Sequence, residues 1–191
     1  MTTLATIPTA GTTIPTPASK YFPAHDLASA PADARPFLEA TQRLFGFVPL
    51  ATARHATAPA LVEGFARLLD IFEKTSLSPL EREAVALTLA AKLDCKLCRD
   101  LHRRFARQHG ASAELVETLL SRTAVADPRL AALAEFTERV VDTRGAVSDA
   151  ELERFVAEGF SPRQALEVVV GVATYTLSIL ANRMTRSETL R

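Results

Sequence analysis

The chain has 191 residues, 48% of them hydrophobic, and its 22 Lys and Arg balance its 22 Asp and Glu to a net charge of zero. That balance excludes the basic excess of a nucleic-acid binder and leaves little self-repulsion to oppose association. Seven glycines, no tryptophan, and many Ala, Leu, Glu and Arg argue against a turn-rich β fold and for helix.

Residues 1–30 are rich in Thr, Pro and Ala, and Pro8, Pro15, Pro17 and Pro23 break any helix there. They read as an N-terminal arm, in which Tyr21 and Phe22 are the groups able to anchor on a neighbouring subunit. The opening stretch lacks a basic region followed by an apolar one, and the chain shows no run of about 18 apolar residues. Neither a secretory signal nor a membrane span is expected, and the expected location is cytoplasmic. Residues 31–191 are expected to form one all-α domain, long enough to bury roughly 70% of its unfolded surface.

Within that domain, Phe37, Thr41, Leu44 and Phe45 recur at helical spacing and stop at Gly46, a natural residue just past a helix end. Phe47, Val48 and Pro49 read as a connector. A helix over about 59–72 carries Leu61, Phe65, Leu68 and Leu69 on one face, with Thr57 as its cap. Ser78-Pro79-Leu80-Glu81 is a capping box, and the helix it starts becomes apolar on every side, as buried helices are. Asp94 is the expected N-cap of the next helix, over about 95–109. Ser112 starts a shorter helix, and Asp127-Pro128 starts one running to about Thr143. Ser148 with Glu151, and Ser161 with Gln164, are two further capping boxes. The last launches a long helix to about Met184, and Val168-Val169-Val170 falls inside it.

The chemistry concentrates in EAVALTLAAKLDCKLCRDLH, Glu83 to His102, which holds the only two cysteines, Cys95 and Cys98. On a helix Cys95, Cys98 and His102 share a face, and Cys98 and His102 are i and i+4 neighbours. Cys95 falls at the helix start, where unpaired N–H groups and the dipole favour a thiolate. His102 is placed to take the Cys98 proton. Glu83 interrupts an apolar stripe with Ala86, Leu87 and Ala90, so it needs a partner. If the two helices pack antiparallel, that partner is His102, and Glu83, His102 and Cys98 form a proton relay with Cys95 as second thiol. Tyr175 and Asn182 of the last helix are candidates to approach the site, and Arg99 to stabilise a thiolate. The alternatives are inert buried thiols or a zinc site of Cys95, Cys98, His102 and Glu83, although structural zinc usually brings a second C-x-x-C or a His pair. His109 complements a helix end, while His25 and His55 fall in loop-like context.

The pattern E-x(11)-C-x-x-C-x(3)-H resembles the signature of AhpD-like proteins of the carboxymuconolactone decarboxylase superfamily, in the peroxidase-related, alkylhydroperoxidase branch. LFGFVP at Leu44 to Pro49, SPLEREAVAL, and GAVSDAELERFVAEGFSPRQALEVVVGVA are similar to that family as well, so the likeness spans roughly residues 35–185. The resemblance implies a helical bundle, assembly into homo-oligomers (trimers or hexamers), and reduction of peroxides by the cysteine pair. It implies Cys98 as the peroxidatic thiol, Cys95 as the resolving thiol, Glu83 and His102 as the relay, and no cofactor beyond an external dithiol reductant such as a lipoyl-bearing protein. The well-studied peroxidase of the family has a histidine just before the second cysteine, where this chain has Leu97. The superfamily's decarboxylases lack the cysteine pair, so lactone decarboxylation is not expected. The competing expectation is a non-catalytic, redox-responsive or metal-stabilised helical oligomer.

Overall fold

The computed structural model describes residues 20–191. Residues 1–19 of the expected arm, with Pro8, Pro15 and Pro17, lie outside the described residues. The described part is all-α, with no strand. A 3-10 turn, Ala32–Ala34, is followed by α1 Arg35–Phe45, α2 Leu50–His55, α3 Pro59–Glu73, α4 Pro79–Lys92, α5 Lys96–Gln108, α6 Ala113–Ser121, α7 Pro128–Asp142, α8 Asp149–Ala157 and α9 Pro162–Met184.

Local sequence sets most boundaries. Ser78, Ser148 and Ser161 each close a reciprocal capping box, and Ser112 and Asp127 cap α6 and α7 with their side chains. Gly46 ends α1 with φ 77°, a left-handed conformation in which glycine has no Cβ penalty. Phe47 to Pro49 form a connector as expected, and the short helix α2 that follows was not anticipated. One expected cap is corrected: α3 begins at an uncapped Ala58 while Thr57 shares a hydrogen bond with His25 Nε2 at 3.3 Å.

α4 is the central helix, surrounded by α5, α6, α7 and α9. Every residue from Glu83 to Ala91 is buried, as expected of a helix apolar on nearly every side, with Glu83 and Thr88 as its buried polar groups. Beside it, Phe136, Phe155 and Phe160 stack at centroid distances of 4.2 and 4.3 Å. A smaller core joins Ala30, Ala34, Leu38, Ala56 and Val62 under the first helices.

α9 lies across α3 and α4 at Gly171. A Cβ there would fall 2.6 Å from Phe72 Cζ and 3.0 Å from Val85 Cγ1, so the approach needs a residue without a side chain. This contact brings the next turns of α9, with Tyr175 and Asn182, onto the α4–α5 corner. The other side of α9 is open: Leu166 and Met184 are 71% and 70% exposed, and Val169 and Leu180 also face outward. By length and composition α9 would suit a membrane span, which the sequence reading did not anticipate, yet its inner side buries Val168, Thr174, Tyr175 and Ile179 in the bundle.

Candidate functional site: a buried cysteine pair at the α4–α5 corner

The corner is built by backbone hydrogen bonding. Asp94 adopts a left-handed conformation, φ 52°, and the amides of Asp94 and Cys95 bond back to Ala91 O at 3.3 Å and Ala90 O at 3.0 Å. This pairing satisfies two carbonyls at the end of α4. Asp94 therefore ends α4 instead of starting α5, which corrects the expected cap; aspartate tolerates this conformation better than most residues. The N-cap of α5 is Cys95, whose Sγ accepts from the Cys98 amide at 3.3 Å. Asp94 is held in place by ion pairs to Arg99 at 3.4 Å and Arg183 at 3.6 Å. Arg99 also donates to Ala91 O at 3.0 Å, so its guanidinium is committed to the end of α4.

Cys95 and Cys98 are joined in a disulfide, with Cα atoms 5.3 Å apart. Among the described residues, no three His, Cys, Asp or Glu side chains are grouped to hold a metal ion. Cys95 is only 3% exposed and Cys98 6%, so the pair sits beneath the surface. Leu97 between them packs into the main core and offers no proton-carrying group.

α4 and α5 bring Glu83 and His102 together: His102 Nδ1 lies 2.9 Å from Glu83 Oε2, with both residues buried. Such a bond assigns the proton to Nδ1, donating to the carboxylate, and leaves Nε2 as the nitrogen able to accept and return a proton. α9 supplies two further groups. The Tyr175 ring meets the His102 ring edge-on at 4.8 Å, and burial together with the nearby Glu83 charge pushes its hydroxyl pKa up, so it stays a neutral phenol. Asn182 Nδ2 points at the sulfurs, 3.3 Å from Cys98 Sγ and 3.8 Å from Cys95 Sγ. The corner thus joins a two-electron store, an imidazole oriented by a carboxylate, and an amide touching both sulfurs.

His55 departs from its loop-like reading. It ends α2, bonds the Ala181 carbonyl, and has its Nε2 buried without a partner; burial pushes its pKa down to about 4. His25 lies in an exposed turn, with Nδ1 3.2 Å from Ser29 O.

The site is therefore a disulfide-bonded Cys-x-x-Cys pair beside a buried His–Glu bond, set in a helical bundle. Residues 58–139, which include Glu83, Cys95, Cys98 and His102, match the family model of the carboxymuconolactone decarboxylase family. The match spans less than half of the chain, and the described residues adopt an AhpD-like fold. It is similar to the structure described as the alkylhydroperoxidase AhpD core of an uncharacterized peroxidase-related protein from Ralstonia eutropha JMP134, with TM-score 0.75, 24% identity, and 90% of each chain covered. An uncharacterized peroxidase-related protein from Silicibacter sp. TM1040 superposes with TM-score 0.70 at 21% identity over 94% of each chain. A variant of the debrominase Bmp8, in complex with 2,3,4-tribromopyrrole, gives TM-score 0.70 at 13% identity, covering 93% of this chain and 94% of its own. At these identities the likeness shows the fold. No curated protein matches the chain.

Proposed function

We propose that the chain is a thiol-dependent peroxidase whose working groups are Cys98, Cys95, His102 and Glu83. The observation that carries this is the buried His102–Glu83 bond at 2.9 Å, on the same corner as the Cys95–Cys98 disulfide. In the reduced protein, His102 Nε2 takes the Cys98 proton, and the thiolate attacks the nearer peroxide oxygen. The O–O bond breaks, Cys98 becomes a sulfenic acid, and the proton returns through His102 to the departing alkoxide, giving an alcohol. The Cys95 thiol then attacks Cys98 sulfur, releasing water and forming the disulfide. An external dithiol, such as a lipoyl group on a partner protein, reduces the disulfide and is itself oxidised. Glu83 holds the imidazole in the Nδ1–H tautomer and stabilises the imidazolium that forms after proton transfer.

Burial bears on the substrate. Cysteines only 3% and 6% exposed favour a small peroxide and a slender dithiol over a protein disulfide, which would need an accessible sulfur. The reading extends to assembly. The open apolar side of α9, with Leu166, Val169, Leu180 and Met184, is proposed to pack against another copy of the chain, and Leu180→Glu is expected to lower the mass seen by sedimentation.

The test is peroxide turnover with dihydrolipoamide, comparing wild type with Cys98→Ser and Glu83→Gln. Loss of turnover in Cys98→Ser and a large drop in Glu83→Gln are expected; wild-type rates in both would overturn the mechanism. A disulfide that forms with oxidant but supports no turnover would instead mark a redox-responsive protein.

A further inference from the structure

Asn182 reaches the sulfurs from α9, outside the family-matched segment, and its two amide ends meet different surroundings. Nδ2 lies 3.3 Å from Cys98 Sγ, whereas Oδ1 is buried and meets no donor among the described residues. An unpaired buried carbonyl of this kind is destabilising, because it loses its bonds to water and gains none in return. Turning the amide over gives no relief in this state, because a disulfide has no proton to donate, and an oxygen facing sulfur lone pairs would replace the Nδ2 contacts. The amide is therefore poorly matched to the oxidised pair.

It is well matched to the reduced pair. When an external dithiol delivers two electrons and two protons, the S–S bond breaks, the reductant becomes a disulfide, and each sulfur becomes a thiol or thiolate. A Cys98 thiolate is a far stronger acceptor for Nδ2–H than a disulfide sulfur, since hydrogen bonds to charged groups are roughly twice as strong. A Cys98 thiol carries the proton that the disulfide lacks, and a half-turn of the amide places Oδ1 where Nδ2 stands, able to accept it. Leu97 supplies neither function, and Arg99 is spent on the end of α4.

We propose that Asn182 is a further catalytic residue, whose amide stabilises reduced Cys98 over the Cys95–Cys98 disulfide, through Nδ2 as thiolate and through Oδ1 as thiol. This rests on the reading that the pair cycles between disulfide and dithiol. It makes the disulfide a better oxidant of its dithiol reductant and Cys98 a more acidic thiol.

The test equilibrates the full chain with reduced and oxidised dithiothreitol and counts free thiols by alkylation and mass. The pH dependence of Cys98 alkylation is followed in the reduced protein. Asn182→Leu keeps the shape and removes both amide ends. It is expected to shift the equilibrium about tenfold toward disulfide, equivalent to ~30 mV, and to raise the alkylation midpoint. Asn182→Asp keeps the shape and an acceptor but removes the donor. Its carboxylate is expected to raise the midpoint further than Leu does, and it carries the test if the Leu variant fails to fold. Equilibria within twofold of wild type in both variants, with unchanged midpoints, would overturn the proposal. The readout needs no peroxide, so a chain that turns over no peroxide but shows these shifts refutes the peroxidase reading and leaves this one standing.

Discussion

Glu81 and Glu83 are two residues apart on α4 and almost equally hidden, 7% and 5% exposed, yet they are satisfied in different ways. Glu81 spends both oxygens on structure. One accepts from the Ser78 amide at 2.7 Å, closing the capping box, and the other accepts from Arg129 Nε at 2.7 Å. Arg129 in turn lies 3.8 Å over the Phe160 ring and donates to Glu158 O, so this carboxylate ties α4 to α7 and the turn after α8. Glu83 instead bonds an imidazole, whose second ring nitrogen lies beyond the bond. Burial alone does not distinguish the two carboxylates; their partners do. An arginine fixes the charge permanently, whereas a histidine lets the pair respond to a proton.

The contrast is most exposed to failure at Glu83. Glu83→Gln keeps the shape and removes the charge that orients His102, so kcat/KM for peroxide is expected to fall about 100-fold while the fold survives. A loss below about threefold would make Glu83 as structural as Glu81. His55 offers a second buried ionisable group outside the site. Because its folded pKa of about 4 lies below the ordinary 6.5, the neutral ring's contribution is full above pH 6.5 and disappears as pH falls to 4. Urea unfolding at pH 7.5 and 4.5 is expected to show a loss of up to about 3 kcal/mol, much of it absent in His55→Leu. Gly171→Ala pushes a methyl into Phe72 and Val85 and is expected to cost about 2 kcal/mol by thermal melting, loosening the helix that carries Tyr175 and Asn182. The smallest effect is expected at the structural carboxylate. Glu81→Gln keeps the capping box and loses the charge facing a partly exposed Arg129, so stability should fall by less than about 1 kcal/mol and peroxide turnover should stay within threefold of wild type. A larger fall in turnover there would erase the distinction.

Much of this was legible in the sequence because it is local. Ser78, Ser112, Asp127, Ser148 and Ser161 cap the helices they were expected to cap, since a cap is decided within four residues. The Glu83–His102 contact followed from periodicity on two consecutive helices. The failures have physical causes too. Asp94 is a good N-cap by residue type, but the closing turn of α4 takes it into the left-handed region and passes the role to Cys95. α2 has six residues, starts after Pro49 without a side-chain cap, and draws its order from packing instead of pattern. Asn182 lies 84 residues from Cys98, and nothing in its own neighbourhood marks which way α9 will face. Its signal was an amide far beyond the capping box of a long apolar helix, a polar group that burial obliges to find a partner.

Cys95 closes α4 with its amide and opens α5 with its side chain, two duties in one residue. Neither duty requires sulfur. Serine is among the best N-caps and keeps the same backbone amide, so folding alone would favour it at this position. Cys95→Ser is therefore a substitution in which architecture and chemistry part company: the corner should stand, with stability equal to or above that of the reduced wild type, while the proposed redox cycle should stop at the sulfenic acid of Cys98. Conformational stability would have settled on the hydroxyl, and the thiol marks a demand that folding does not make.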